Sequence, residues 1–375
     1  MKQNMIERYN KLTRQILDGL MAEHPGENVA FSPYSILTLL AIAANASAGE
    51  SREQIVKALG ADSYESLLSD IDRLQTKLAK TGQLSAANAA LVNASIADSI
   101  TPGYDEQLKK LFDGSLIMSK DMISDVNTWV KEKTDGQICQ IADESMNAML
   151  ACLINAILFD ADWKEKYETN DIYEGDFTNA DGTTSAVQML SSTEWRYLEN
   201  DFFTGFAKPY KENYSYVALL PKKAKSKSFL KRAIKELDIP ELLRNAEEIK
   251  TIVEMPEFET AFGQDITRLC QNMGITEIFT PCADFSPMSS KWLRMDQIVH
   301  KAKIEVNRKG TRAAAVTMGV MVAGCAPDFK NIRFVTLDRP FLYAVVHNET
   351  GLPVFAGMVN HPELFTAIHI DSIGA

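Results

Sequence analysis

The chain carries five histidines and five cysteines, the residue types that most often perform nucleophilic, acid–base or metal chemistry. The cysteines are Cys139, Cys152, Cys270, Cys282 and Cys325. None belongs to a Cys-x-x-Cys pair, so zinc-type ligand spacing is absent and no metal is expected. Their odd number argues against a disulfide framework, and reduced, mostly buried thiols are expected. No His-Glu-x-x-His, no Gly-x-Ser-x-Gly elbow, no phosphate-binding loop and no dinucleotide glycine fingerprint occurs. Cys325 sits among small neighbours, and as a nucleophile it would need a histidine beside it, which nothing in the sequence nominates. The 50 acidic residues make any single carboxylate pair uninformative. No enzyme chemistry and no cofactor is therefore expected, and activity has to be sought in a segment.

That segment lies between the strand-like Ile304-Glu305-Val306-Asn307 and a second strand that starts near Ile332. The connecting loop, about residues 308–331, is long for a structureless link in a compact domain, and such loops are usually functional. It is short of charge and rich in small residues. Two states suit it: an exposed bait with a glycine at its base, or a strand slid between existing strands. Fourteen residues from Gly310 would span about 46 Å at about 3.3 Å per residue. Thr311, Ala313, Ala315 and Thr317 would then form one face, suited to burial, with Arg312, Ala314 and Val316 on the other. An ordinary surface loop is the plain alternative.

The elements that must hold this loop come next. The 375 residues are 46% hydrophobic and 24% charged, with 19 glycines and 13 prolines, which describes a globular chain and excludes a collagenous or disordered one. At about 150 residues per domain the length predicts two or three domains, but no linker, repeat or low-complexity segment divides the chain. The net charge of −11 argues against nucleic acid and anionic membranes as partners. The first ten residues contain no apolar signal core, so the protein is expected outside the cell if a leader has been removed, with the cytoplasm as the alternative. The apolar stretch 29–48 is broken by Ser32, Pro33, Ser35 and Asn45 and reads as a buried helix. Glycosylation patterns at Asn45, Asn93, Asn213 and Asn348 are weak signals. The basic cluster Lys222, Lys223, Lys225, Lys227, Lys231 and Arg232 reads as a solvated turn and helix face.

Helical spacing runs through residues 5–21, from Ser35 onward, and through 66–80, 104–111, 126–134 and 265–274. Ser51, after Gly49-Glu50, is a candidate helix cap. Residues 149–159 are almost continuously apolar, as in a strand buried on both faces. Shorter strands are expected at 186–190, 202–209, 215–220, 251–256, 298–306, 332–337, 341–347 and 354–359. Helices first and strands later, without regular alternation, predicts the α+β class.

At this point the sequence closely resembles the serpin family of serine protease inhibitors, over nearly the whole chain. Asn28-Val29-Ala30-Phe31-Ser32-Pro33-Tyr34-Ser35-Ile36 is similar to the family's early helix motif. Leu153-Ile154-Asn155-Ala156-Ile157-Leu158-Phe159, with Trp163 after it, is similar to its central-sheet strand. Gly274-Ile275-Thr276-Glu277-Ile278-Phe279, with Ala283-Asp284-Phe285-Ser286, is a further match. Val299-His300-Lys301-Ala302 through Gly310-Thr311 resembles the strand and hinge before the reactive loop. Arg339-Pro340-Phe341-Leu342 and Phe355-Ala356-Gly357-Met358-Val359-Asn360-His361-Pro362 resemble the C-terminal signature. Six motifs in the right order unify 1–375 into one serpin domain, with about nine helices around three β-sheets and an exposed reactive-centre loop.

The resemblance implies a metastable inhibitor held by a kinetic barrier. A target serine protease would form a covalent acyl-enzyme with the loop, and the cut loop would insert as a new strand, distorting the tethered protease. Gly310 matches the start of the hinge, which continues through Thr311, Arg312, Ala313, Ala314, Ala315, Val316 and Thr317. Arg312 departs from the family pattern, where glutamate is usual. Ser32, Ser35, Asn155 and His300 match the polar cluster where the sheet opens, and Trp163 the top of the sheet. For the two serines, helix capping is an equally good account. Family spacing places the scissile bond at Gly324-Cys325, with Val322 and Ala323 as alternative positions. No Lys or Arg lies between Arg312 and Lys330, which disfavours a trypsin-like target and favours an elastase-like or subtilisin-like one. The chain is expected to act as a monomer, without cofactor, nucleic acid or membrane. A non-inhibitory carrier on the same fold is the second reading, and the alanine-rich hinge argues against it.

Overall fold

A computed structural model describes residues 3–78, 81–144, 146, 149–223, 226–311 and 332–362. Nine α-helices occur among the described residues. They are α1 (Gln3–Glu23), α2 (Pro33–Ala46), α3 (Gly49–Ala58), α4 (Tyr64–Leu78), α5 (Tyr104–Phe112), α6 (Met122–Lys133), α7 (Lys227–Lys235), α8 (Ile239–Arg244) and α9 (Thr267–Asn272). The first strands are β1 (Val29–Phe31), β2 (Leu84–Asn93), β3 (Gly114–Ser119), β4 (Ala151–Phe159), β5 (Ala161–Asp162), β6 (Ile172–Thr178), β7 (Thr184–Glu199) and β8 (Phe203–Pro209). The remainder are β9 (Tyr214–Pro221), β10 (Glu247–Pro256), β11 (Phe258–Asp265), β12 (Gln297–Asn307), β13 (Gly310–Thr311), β14 (Ile332–Thr336), β15 (Phe341–His347) and β16 (Leu352–Val359).

The first sheet runs β3-β2-β4-β12-β13-β5, with β11 on the outer side of β12. The second runs β1-β16-β15-β9-β8-β7-β10-β14, with β6 added to β7. Two of the three expected sheets are thus one hydrogen-bonded network. The reason is β7, whose 16 residues pair with β6 along its first part, with β10 from Met189 to Tyr197 and with β8 at its end.

Helix α2 occupies the centre. All 14 of its residues are buried, so it shows no polar face, as expected of a helix enclosed on every side. Pro33 fills the first turn, where no amide partner is needed, and the Ser32 hydroxyl accepts from the Ser35 amide at 3.1 Å. Every residue of β4 is buried, as the apolar run predicts. One face of β4, with Leu153 and Ile157, joins the main core around α2. The other face, with Cys152, Ile154, Ala156 and Leu158, packs beneath α6 and the connection that follows it.

Two details depart from the sequence reading. Ser51 is not a cap: α3 begins at Gly49, and the Ser51 hydroxyl accepts from the Asp284 amide at 3.0 Å. The described thiols are evenly divided, with Cys152 and Cys270 buried and Cys139 and Cys282 exposed and free. Burial pushes the Cys152 and Cys270 thiols up to about 12, so both are inert at neutral pH.

Candidate functional site at the sheet-opening seam

Strands β4 and β12 are parallel neighbours over seven register pairs, from Cys152 against Gln297 to Leu158 against Lys303. No strand lies between them, so the seam is closed. At its upper end β12 turns back on itself. There Gly310 and Thr311 pair with Asn307 and Val306 of β12 on one side, and with Asp162 and Ala161 of β5 on the other. Gly310 and Thr311, the first two residues of the predicted hinge, therefore sit in the mouth of the seam as a two-residue strand.

Each is fitted to that mouth. A Cβ on Gly310 would lie 2.1 Å from the Ala161 carbonyl oxygen and 2.8 Å from the Asp162 Cα, so only glycine fits. Thr311 is fully buried, and its hydroxyl lies 2.6 Å from that of Tyr210. Tyr210 stacks on Trp163, with ring centroids 4.4 Å apart and planes 9° from parallel. Trp163 is fully buried, donates its indole N–H to the Asn307 carbonyl at 2.8 Å and bonds its amide to the Lys309 carbonyl at 3.0 Å. The Tyr167 amide donates to the Arg308 carbonyl at 3.0 Å.

Beneath Trp163 and Tyr167 lies a group that sequence reasoning missed. Lys208 is 2% exposed and Glu194 6%, and Lys208 Nζ is 2.7 Å from Glu194 Oε1. The ammonium also stands 4.5 Å from the Tyr167 ring centroid and 5.5 Å from that of Trp163. The Ser192 hydroxyl donates to the same carboxylate at 2.7 Å. The available signal was a lysine inside the apolar run 203–209, whose partner lies on another strand.

Lower in the seam, three of the five predicted opening residues meet. His300 and Asn155 are directly opposite in the β12–β4 register. The Ser32 amide donates to His300 Nε2 at 3.0 Å, so that nitrogen carries no proton. The proton is on Nδ1, which donates to Asn155 Oδ1 at 2.9 Å. The Asn155 amide then donates to Asn88 Oδ1 at 2.9 Å and to the Ala87 carbonyl at 3.3 Å. A one-way chain of hydrogen bonds thus runs from the start of α2 through β12 and β4 to β2, crossing the seam. Ser35 is nearby, but only its amide takes part, in the Ser32 cap, and its buried hydroxyl has no partner. Trp163 belongs to the mouth and not to this bolt. Arg312, Ala313, Ala314, Ala315, Val316, Thr317, Val322, Ala323, Gly324 and Cys325 lie outside the described residues.

Burial pushes the His300 pKa down from 6.5 to about 3. An imidazolium would turn an N–H towards the Ser32 amide and break the chain. The folded value lies below the unfolded one, so the bolt's stabilisation is whole above about pH 6.5 and is lost as pH falls from there towards about 3. We expect conversion to a loop-inserted form, followed on native gels, to accelerate from pH 6.5 to pH 4. A His300→Gln variant should convert faster at neutral pH and respond less to acid. Equal acid responses in the two proteins would contradict this role.

Among the described residues no three His, Cys, Asp or Glu converge as metal ligands, and no helix is long and apolar enough to cross a membrane. The family model described as Serpin (serine protease inhibitor) matches residues 7–362. Serpin-ZX of Arabidopsis thaliana is 31% identical, over 89% of this chain and 92% of that protein. Leukocyte elastase inhibitor A of Mus musculus is 29% identical, over 93% of this chain and 97% of that protein. The native-state crystal structure of the thermophilic serpin Tengpin superposes with a TM-score of 0.88 at 30% identity, covering 96% of this chain and 95% of that one. With its buried central helix, the closed β4–β12 seam and Gly310-Thr311 seated at its mouth, the chain belongs to the serpin (serine protease inhibitor) family.

Proposed function

We propose that this serpin is a single-use inhibitor of elastase-like or subtilisin-like serine proteases. It acts as one 375-residue domain and a monomer. The observation that carries this reading is the hinge: Gly310 and Thr311 are already hydrogen-bonded into the mouth of a seam that is otherwise shut. In this reading the protease attacks the loop at Gly324-Cys325, or at Val322 or Ala323, and is held as an ester. The freed hinge then continues from Thr311 down the seam, with Ala313, Ala315 and Thr317 entering on the side of α2. Small side chains there pass the closed β4–β12 contact with little steric resistance. The absence of a cation between Arg312 and Lys330 supports a target with a small apolar specificity pocket. So does the similarity to a mouse protein named as an elastase inhibitor.

The test is incubation with pancreatic elastase followed by a denaturing gel. A band at the summed mass that survives boiling is expected, together with a large rise in melting temperature once the loop is cut. Clean cleavage without that band would defeat the proposal.

A further inference from the structure

On the face of the first sheet away from α2, a cavity of about 350 Å³ lies under the connection that follows α6. The register builds its floor. Gln297, Val299 and Lys301 alternate along β12, on the opposite face from His300. Lys301 lies opposite Gly263 of β11, and Val299 opposite Asp265, so these five residues share one face. The roof is the connection itself, from Gln140 to Met146. Asn127 of α6 fixes that roof: its Oδ1 accepts from the Ile141 and Ala142 amides at 2.8 and 3.0 Å, and its Nδ2 donates to the Ala142 carbonyl at 3.2 Å. Gly263 keeps floor and roof apart. A Cβ there would stand 3.0 to 3.2 Å from the stem carbons of Lys301, which lie across its bare backbone.

The lining selects the ligand. The Lys301 ammonium already donates to the Gln140 carbonyl. Against that one cation stand two carboxylates, Asp143 and Asp265, so the cavity keeps a formal negative charge. Val299, Ala142 and Met146 belong to one apolar cluster and supply a hydrocarbon wall. At about 30 Å³ per water-sized group, the volume holds about a dozen of them. An ammonium or guanidinium on a short aliphatic chain satisfies charge, wall and size together. An anion would face two carboxylates while the ammonium is engaged elsewhere. We infer that this cavity is a binding site for a small organic cation. The roof packs on Cys152 and Ile154 of β4, and the floor belongs to β12 and β11. A bound cation therefore ties the two sides of the seam together from outside. In the inhibitor reading above, on which only this consequence rests, β4 and β12 must part for the loop, and an occupied cavity slows insertion.

The experiment titrates agmatine, a butyl chain with a guanidinium at one end and an ammonium at the other, into the full chain by calorimetry. Butyrate is the anionic counterpart. Salt at about 0.15 M screens the general attraction of a chain of net charge −11 for cations. One site is expected for agmatine, with a Kd below about 1 mM, and none for butyrate. Asp143→Asn combined with Asp265→Asn keeps the shape, and an asparagine oxygen can still accept from the Thr267 amide that Asp265 holds at 2.8 Å. This double variant should keep its melting temperature and bind agmatine about tenfold more weakly, or worse. Agmatine at about ten times its Kd should also slow spontaneous conversion of the wild type to the loop-inserted form by about tenfold. Absence of agmatine binding, equal binding of butyrate, or an unchanged affinity in the double variant overturns the site. Binding without a change in conversion rate overturns the tie across the seam. If the wild type traps no elastase, the inhibitor reading fails by itself, and the calorimetry still decides the site.

Discussion

Replacing Thr311 with arginine is expected to convert the protein from an inhibitor into a substrate. Thr311 has no exposed surface, and its hydroxyl is held by Tyr210 beside the stacked Trp163. A guanidinium cannot occupy that place, because an unpaired buried charge costs several kcal/mol even after relaxation. The hinge would be pushed out of the mouth, and insertion after cleavage would have to drag the charge back in. A barrier raised by about 3 kcal/mol slows insertion more than a hundredfold. Hydrolysis of the acyl-enzyme does not depend on the hinge and would then win. The measurement is the yield of boiling-resistant complex with elastase at equal cleavage, expected to drop at least tenfold. Thr311→Val, which keeps the volume and loses only the hydrogen bond to Tyr210, should retain most of the yield. Full trapping by the arginine variant would remove Thr311 from the hinge.

Lys208→Met is expected to lower the melting temperature by about 4–6 °C. Removing one member of a buried ion pair costs about 3–5 kcal/mol, because the other is left buried and charged. Here Glu194 would keep only the Ser192 hydroxyl at 2.7 Å. For 375 residues at about 2.1 cal/mol/K each, that loss corresponds to the stated shift. Lys208→Met combined with Glu194→Leu should recover most of it, since a hydrophobic replacement of a buried pair is often neutral. The pair sits under Trp163 and Tyr167, which bond to Asn307, Lys309 and Arg308 at the mouth. The single variant should therefore also convert spontaneously to loop-inserted forms more readily than the double. Equal melting temperatures for wild type and Lys208→Met would show that the charge of Glu194 finds another partner.

These effects have a common origin. Besides the backbone ladder between β4 and β12, the closed seam carries a few directional side-chain contacts, from His300 to Asn155 across it and from Trp163 to Asn307 at its mouth, around a strand apolar but for Asn155. Hydrophobic burial is non-directional and does not by itself select which strand lies beside β4. The polar contacts are satisfied in only one arrangement, so they define the closed state and the points at which it yields.

Much of this was legible in the residues alone. The run 149–159 reads as a doubly buried strand, and β4 is buried throughout. Ser32-Pro33 reads as a helix start because the cap and the proline act locally, and α2 begins there. Of the hinge expected at 310–317, only Gly310 and Thr311 lie among the described residues, paired between β12 and β5. Other elements left no trace. β2, Leu84–Asn93, contains Leu-Ser-Ala-Ala-Asn-Ala-Ala, which shows neither strand propensity nor alternation. It is a strand because β3 and β4 pair with it on both sides.

Topology likewise decided that β7 joins, in one hydrogen-bonded network, strands that the resemblance assigns to separate sheets. His300 was identified by its motif, but its two partners lie 268 and 145 residues away, and only the fold brings them within 3.0 Å. Lys208 and Glu194 were invisible as a pair, because they lie on different strands. By itself the sequence determined the local matters: where helices start, which strand is wholly buried, which loop is free of charge. The tertiary structure decided register, and register alone fixes which side chains face one another across a seam, because a shift of one residue would turn every one of them to the opposite face.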